Sequence, residues 1–202
     1  MSADVLIALA IFCVVATITP GPNNMMLLSS GATFGFRRTL PHIFGISAGC
    51  FVMRIMLGFG LAGVIASLPW LFPLLEVVTA IYLAYLAWRI ATSVGVGAAS
   101  PRAKPLSFMD AAAFQWVNPK AWAISLGAMT GFSRPDHLLS DMIVSAAMLI
   151  LCGLPCIMLW AGGGTMVRHL LTRPAMLRLF NVGMAALLVL SLVPGLVDVA
   201  RL

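Results

Sequence analysis

The 202-residue chain is 61% hydrophobic and only 9% charged, with a formal net charge of +6. A soluble domain carries roughly 25% charged residues, so this composition excludes a water-soluble domain and specifies an integral membrane protein. With no room for a soluble domain, the positive charge is not a nucleic-acid signal, and its placement along the chain is what matters.

Six apolar segments can be marked, about 5–33, 41–66, 70–91, 108–131, 142–163 and 176–197. Each reaches the ~20 residues needed to cross a hydrocarbon core. The Met-Ser-Ala-Asp start lacks a basic region and the first apolar run is too long for a signal peptide, so the segment is expected to be retained. That first run contains Thr19-Pro20-Gly21-Pro22-Asn23-Asn24. Two prolines around a glycine cannot continue a helix, and the carbonyls they free need covering inside a bilayer. Segments two and three carry Gly45-x3-Gly49, Arg54, Glu76, Tyr82 and Tyr85. A Gly/Pro-punctuated linker, 92–107, then divides the chain, and segment four has its own break at Gln115-Trp116-Val117-Asn118-Pro119-Lys120.

Arg37, Arg38, Arg89, Arg102, Lys104, Arg168, Arg173 and Arg178 fall on one side of the spans, against Arg134 and Arg201 on the other. The positive-inside tendency puts the first group in the cytoplasm and both termini outside. Three spans per half also inverts the second half relative to the first. At an offset of 96 positions, Ser29-x-Gly31-Ala32-x-x-Gly35-Phe36-x-Arg38 falls on Ser125-x-Gly127-Ala128-x-x-Gly131-Phe132-x-Arg134. The same offset lays Pro22-Asn23 on Asn118-Pro119. The expected architecture is therefore a single all-α domain of six transmembrane helices. It comprises two inverted three-helix repeats, about 1–91 and 108–202, with helices one and four discontinuous. Matched breaks in inverted halves point to a transporter site near the midplane.

Lys120 is the sharpest candidate within that site, because an ionisable group in mid-span usually faces a cavity. It could hold a substrate carboxylate, exchange a proton, or make a helix contact. Asn23, Asn24 and Asn118 can each donate and accept, serving a zwitterionic ligand or the broken helix ends. Arg54 and Glu76 read as an ion pair, as part of a substrate or proton path, or as snorkelling side chains. Tyr82 and Tyr85, one turn apart, read as packing or pathway-lining residues. Gly31/Gly35, Gly45/Gly49 and Gly127/Gly131 suit close helix approach. His42, His137 and His169 lie near span ends, with no metal-binding spacing. The four cysteines, all in apolar runs, read as small packing residues. No cofactor is expected.

Pro20-Gly21-Pro22-Asn23, Gly31-x3-Gly35-x-Arg37, Gly45-x3-Gly49, Tyr82-Leu83-Ala84-Tyr85-Leu86-Ala87-Trp88 and Asn118-Pro119-Lys120-Ala121 together resemble the LysE/RhtB family of bacterial amino-acid exporters. The resemblance covers essentially the whole chain. It implies proton-driven export of amino acids or close derivatives across the inner membrane, with Pro20, Gly21, Pro22, Asn23, Asn118, Pro119 and Lys120 as site residues. Gln115-Trp116-Val117-Asn118 and the 82–93 stretch look most like the branch exporting cysteine, O-acetylserine and similar small neutral compounds. Thr39 replaces the last glycine of the family's Gly-x-Arg-x-Gly, and Arg54 is unusual for span two. The partners expected are a small amino-acid substrate, the bilayer and, as the Gly-rich faces permit, a second copy of the chain. A channel or helical scaffold without coupled transport is the alternative. An enzyme would need a catalytic set at depth, such as His-Glu-x-x-His or Gly-x-Ser-x-Gly, and none is present.

Overall fold

The computed structural model of the protein describes residues 1–63 and 104–167, with scattered positions between 67 and 88 and between 175 and 186. Segments three and six, most of the linker, Glu76, Tyr82 and His169 therefore fall largely or wholly outside the described residues. Every element with defined bounds is helical, and no strand occurs among the described residues.

Helix α1 (Ala3–Ile18) stops because Thr19 precedes a proline. The ring of Pro20 forces its predecessor out of the helical region, and Thr19 is extended at ψ 139°. Helix α2 (Pro22–Phe34) starts with proline at its first position, where the missing N–H would have lacked a helical partner in any case. The two helices meet at 57°, and together they are long and apolar enough for one broken span. A turn at Gly35, with φ 83°, leads into α3 (Phe36–Met56). A wide turn at Leu57–Leu61 extends α3 to a 26-residue span.

The second described stretch starts with α4 (Phe108–Phe114), capped by reciprocal bonds between Ser107 and Asp110. Tight-turn bonds continue from Gln115 to Asn118, and α5 (Pro119–Phe132) follows with proline again at its first position. After a short turn, α6 (Leu138–Met148) runs through a wide turn at Leu149–Gly153 into α7 (Leu154–Val167). This continuous helical run, Pro135–Val167, is 33 residues long, well beyond the 142–163 expected from hydropathy. It starts early because its charge is neutralised: Arg134 donates from Nε (2.9 Å) and Nη2 (2.8 Å) to the buried Asp141 carboxylate. A carboxylate in a first helical turn is also favoured by the helix dipole.

Small residues set the helix packing. A Cβ on Gly31 would collide with the Ala161 carbonyl, and one on Gly164 with the Leu28 carbonyl, so α2 and α7 touch backbone to backbone. A Cβ on Gly49 would lie 2.6 Å from the Ala112 oxygen, and Gly45 faces Phe108 and Ala111, which seats α4 on α3. The close-approach reading thus holds for Gly31, Gly45 and Gly49. Gly35 serves the turn instead, and nothing among the described residues lies within 4 Å of a Cβ built at Gly131.

Candidate functional site

Breaking a helix at Thr19–Gly21 frees the last carbonyls of α1, and each needs a donor. Asn24 Nδ2 donates to Thr17 O (2.8 Å) and Thr19 O (2.7 Å). The indole of Trp160 on α7 donates to Ile18 O at 3.2 Å. Lys120 Nζ reaches across from α5 to Thr19 O (2.8 Å), Thr19 Oγ1 (3.0 Å) and Pro20 O (3.2 Å). The first break is therefore closed by side chains from three helices. Gly21 is the reason Lys120 fits. A Cβ there would stand 2.8 Å from Lys120 Cδ and 2.9 Å from Nζ.

The second break is closed by its own residues and joined to the first. Asn118 caps α5, its side chain accepting from Lys120 N at 3.1 Å. Trp122 Nε1 donates to Trp116 O at 2.9 Å, and the two indoles pack edge to face. Gln115 is fully buried. Its amide exchanges two hydrogen bonds with Asn23, Asn23 Nδ2 to Oε1 at 2.8 Å and Nε2 to Asn23 Oδ1 at 3.1 Å. It also donates to Ala111 O at 2.9 Å. This amide pair and the Lys120 contacts hold together two breaks about a hundred residues apart in sequence.

A cavity opens where the breaks meet. Gly21, Asn23 and Asn24 line it from the first break and Asn118 and Lys120 from the second. Thr17, Ser47, Cys50 and Ser125 add polar atoms, and Ile46, Ile124, Leu149 and Ile157 supply apolar wall. The space open to water centres is about 60 Å³, room for roughly four to six waters, which suits a small zwitterion.

Of the residues singled out from sequence, five line this cavity. Pro20, Pro22 and Pro119 do not; they act on the backbone, ending one helix and starting two others. Glu76, the partner of Arg54 in the ion-pair reading, lies outside the described residues, so the structure does not bear on that pair. Arg54 does not snorkel: it is fully buried, with Nη1 donating to Ser145 O and Oγ, both at 2.7 Å, and contacting Cys13 Sγ at 3.8 Å. Tyr85 does not line the cavity. It is half exposed, its ring 6.3 Å from that of Trp88. His42 is buried inside α3 rather than at a span end, because the helix begins at Phe36, a turn and a half earlier.

Sequence reasoning gave no site role to Gln115, Ser47, Cys50 and Ser125. Gln115 and Asn118 share a face at i and i+3, as do Ala121 and Ser125 at i and i+4, so helical spacing from the second break carried a signal for two of them.

Residues 14–192 match the family model described as LysE type translocator. The chain belongs to that family. This LysE-type translocator is 31% identical over 194 residues to the "Cysteine/O-acetylserine efflux protein" of Escherichia coli (strain K12), covering 94% of this chain and 96% of the relative. The protein of the same name from Shigella sonnei (strain Ss046) matches to the same extent. The one from Salmonella typhimurium is 31% identical over 151 residues, covering 74% of this chain and 76% of its own. No solved structure matches. Family membership and the apolar helices make the LysE-type translocator a membrane transport protein, and the relatives it matches are named as efflux proteins.

Proposed function

We propose that the protein exports small neutral amino acids or close derivatives, of the size of cysteine and O-acetylserine, from the cytoplasm across the bacterial inner membrane. Transport runs by alternating access in exchange for protons. Six spans form two inverted repeats, and both termini lie outside. The observation that carries this reading is the small cavity lined by both helix breaks in a chain of this family. The size of that cavity and the names of the relatives favour a small substrate.

In the proposed mechanism the N-termini of α2 and α5 attract the substrate carboxylate, since a helix start carries partial positive charge. The three ammonium N–H groups of Lys120 already have three acceptors at Thr19 and Pro20. A substrate carboxylate must therefore compete with those carbonyls. When it wins, Lys120 lets go of the end of α1, and the halves are free to rock about the Asn23–Gln115 pair. Substrate binding is thereby linked to the change of access, because the ligand binds one arrangement better than the other. Loss of the Lys120 proton removes the same contacts and gives the antiport partner a point of action.

The test is relief of toxicity by overexpression across a panel of amino acids, followed by efflux from proteoliposomes with and without a proton gradient. Saturable, gradient-dependent efflux of a small neutral substrate is expected. Flux that neither saturates nor responds to the gradient means a channel, and no flux for any panel member means a scaffold.

A further inference from the structure

Arg54 takes no part in the site described so far, yet it is a permanently charged group with no exposed surface, deep in a membrane protein. Among the described residues only Nη1 is engaged, by Ser145 and Cys13. Nε and Nη2 are buried and have no hydrogen-bond partner among the described residues. These two atoms form one edge of the guanidinium, the edge that meets both oxygens of a carboxylate in a fork-to-fork pair. Fixing Nη1 on Ser145 orients that edge, which has no acceptor among the described residues.

The place of this residue in the fold gives that edge a meaning. Thr17, Cys50 and Leu149 line the cavity. Each lies four residues, about 6 Å along a helix, from Cys13, Arg54 and Ser145 respectively. On α1, α3 and α6 alike, the Arg54 layer is thus the next one beyond the cavity. It lies on the side away from Arg37 and Arg38, at the start of α3, which is the outer side by the charge bias.

We propose that Arg54 is a second carboxylate-binding subsite, which takes the substrate's carboxylate from the central cavity on its way out. The direction of travel rests on the export reading above; the carboxylate site itself does not. Ser145 positions the fork, and Cys13 closes the layer from α1. Reaching the site requires α1 and α6 to part at this layer, so the Arg54–Ser145–Cys13 contact doubles as the outer closure.

The full-length protein, purified in detergent, is titrated with acetate, acetamide and chloride at constant ionic strength while its unfolding temperature is followed. Acetate is expected to stabilise the wild type and Lys120→Met saturably, more than chloride or acetamide does. Arg54→Gln should lose this response, and Arg54→Lys, which keeps the charge without the fork, should bind acetate roughly tenfold more weakly. If Arg54→Gln does not fold, Arg54→Lys alone decides, and an unchanged acetate affinity overturns the proposal. So does chloride matching acetate, a wild type that does not respond, or a response lost in Lys120→Met but kept in Arg54→Gln. In proteoliposomes, wild type should prefer O-acetylserine over an amide analogue lacking the carboxylate, and Arg54→Gln should lose most of that preference. A purely structural Arg54 would slow both compounds equally, keep their ratio and refute the idea. If the wild type exports none of the panel yet still binds acetate through Arg54, the export reading fails and the subsite stands.

Discussion

Replacing Lys120 by methionine keeps the length and apolar stem of the side chain and removes its ammonium. Three contacts disappear, to Thr19 O, Thr19 Oγ1 and Pro20 O. Thr19 O keeps the Asn24 amide as donor, so Pro20 O is the carbonyl that loses its side-chain partner. Hydrogen bonds from a charged donor contribute about 1.5–3 kcal/mol each when buried. Thr19 and Pro20 are exposed in the chain, so the net loss of stability should be about 2 kcal/mol, a roughly thirtyfold shift in the latch equilibrium. That is too little to prevent insertion. The effect on transport should be much larger, because the variant loses the substrate ligand and the competing latch together. Efflux of labelled O-acetylserine from loaded proteoliposomes should fall below a few per cent of wild type, with membrane-fraction yield nearly unchanged. Gly21→Ala should reproduce part of this defect, since its Cβ would push into the Lys120 stem. Unimpaired efflux by Lys120→Met would refute the role given to the ammonium, whatever its stability.

The amide bridge between the breaks predicts energetic coupling. Asn23→Ala and Gln115→Ala, measured singly and together by thermal unfolding, should show an interaction of about 1 kcal/mol or more; strict additivity would mean the bridge does not form. Asn24→Ala should destabilise the chain by about 2 kcal/mol by stripping one donor each from Thr17 O and Thr19 O. Asn24→Asp should be at least as harmful, because a carboxylate faces carbonyls it cannot satisfy. Gly164→Ala drives a methyl into the Leu28 backbone, whereas Gly162→Ala meets nothing within 4 Å among the described residues. The first should lose about 1–3 kcal/mol of stability and the second almost none, a difference readable as unfolding temperature in detergent.

The sequence by itself determined where the helices break, because proline acts within its own turn: it fixes φ, removes an N–H and restricts the residue before it. Thr19 and Asn118 are extended for that local reason, and both could be read without any neighbour. The membrane class followed equally directly from composition, and the family from the motifs around those breaks. What the tertiary structure decided was which side of each helix meets which partner. In a water-soluble protein a polar face marks the outside, but a bilayer makes the outward face apolar as well, so periodicity along α1 or α3 carries little contrast. The rotation that buries Arg54 against Ser145, the burial of His42 and the pairing of Gln115 with Asn23 could not be read from spacing for that reason. Lys120 shows the division most clearly. Its depth beside a break marked it as the sharpest candidate, but only the meeting of α1 and α5 revealed that its ammonium is already committed to the carbonyls the first break sets free.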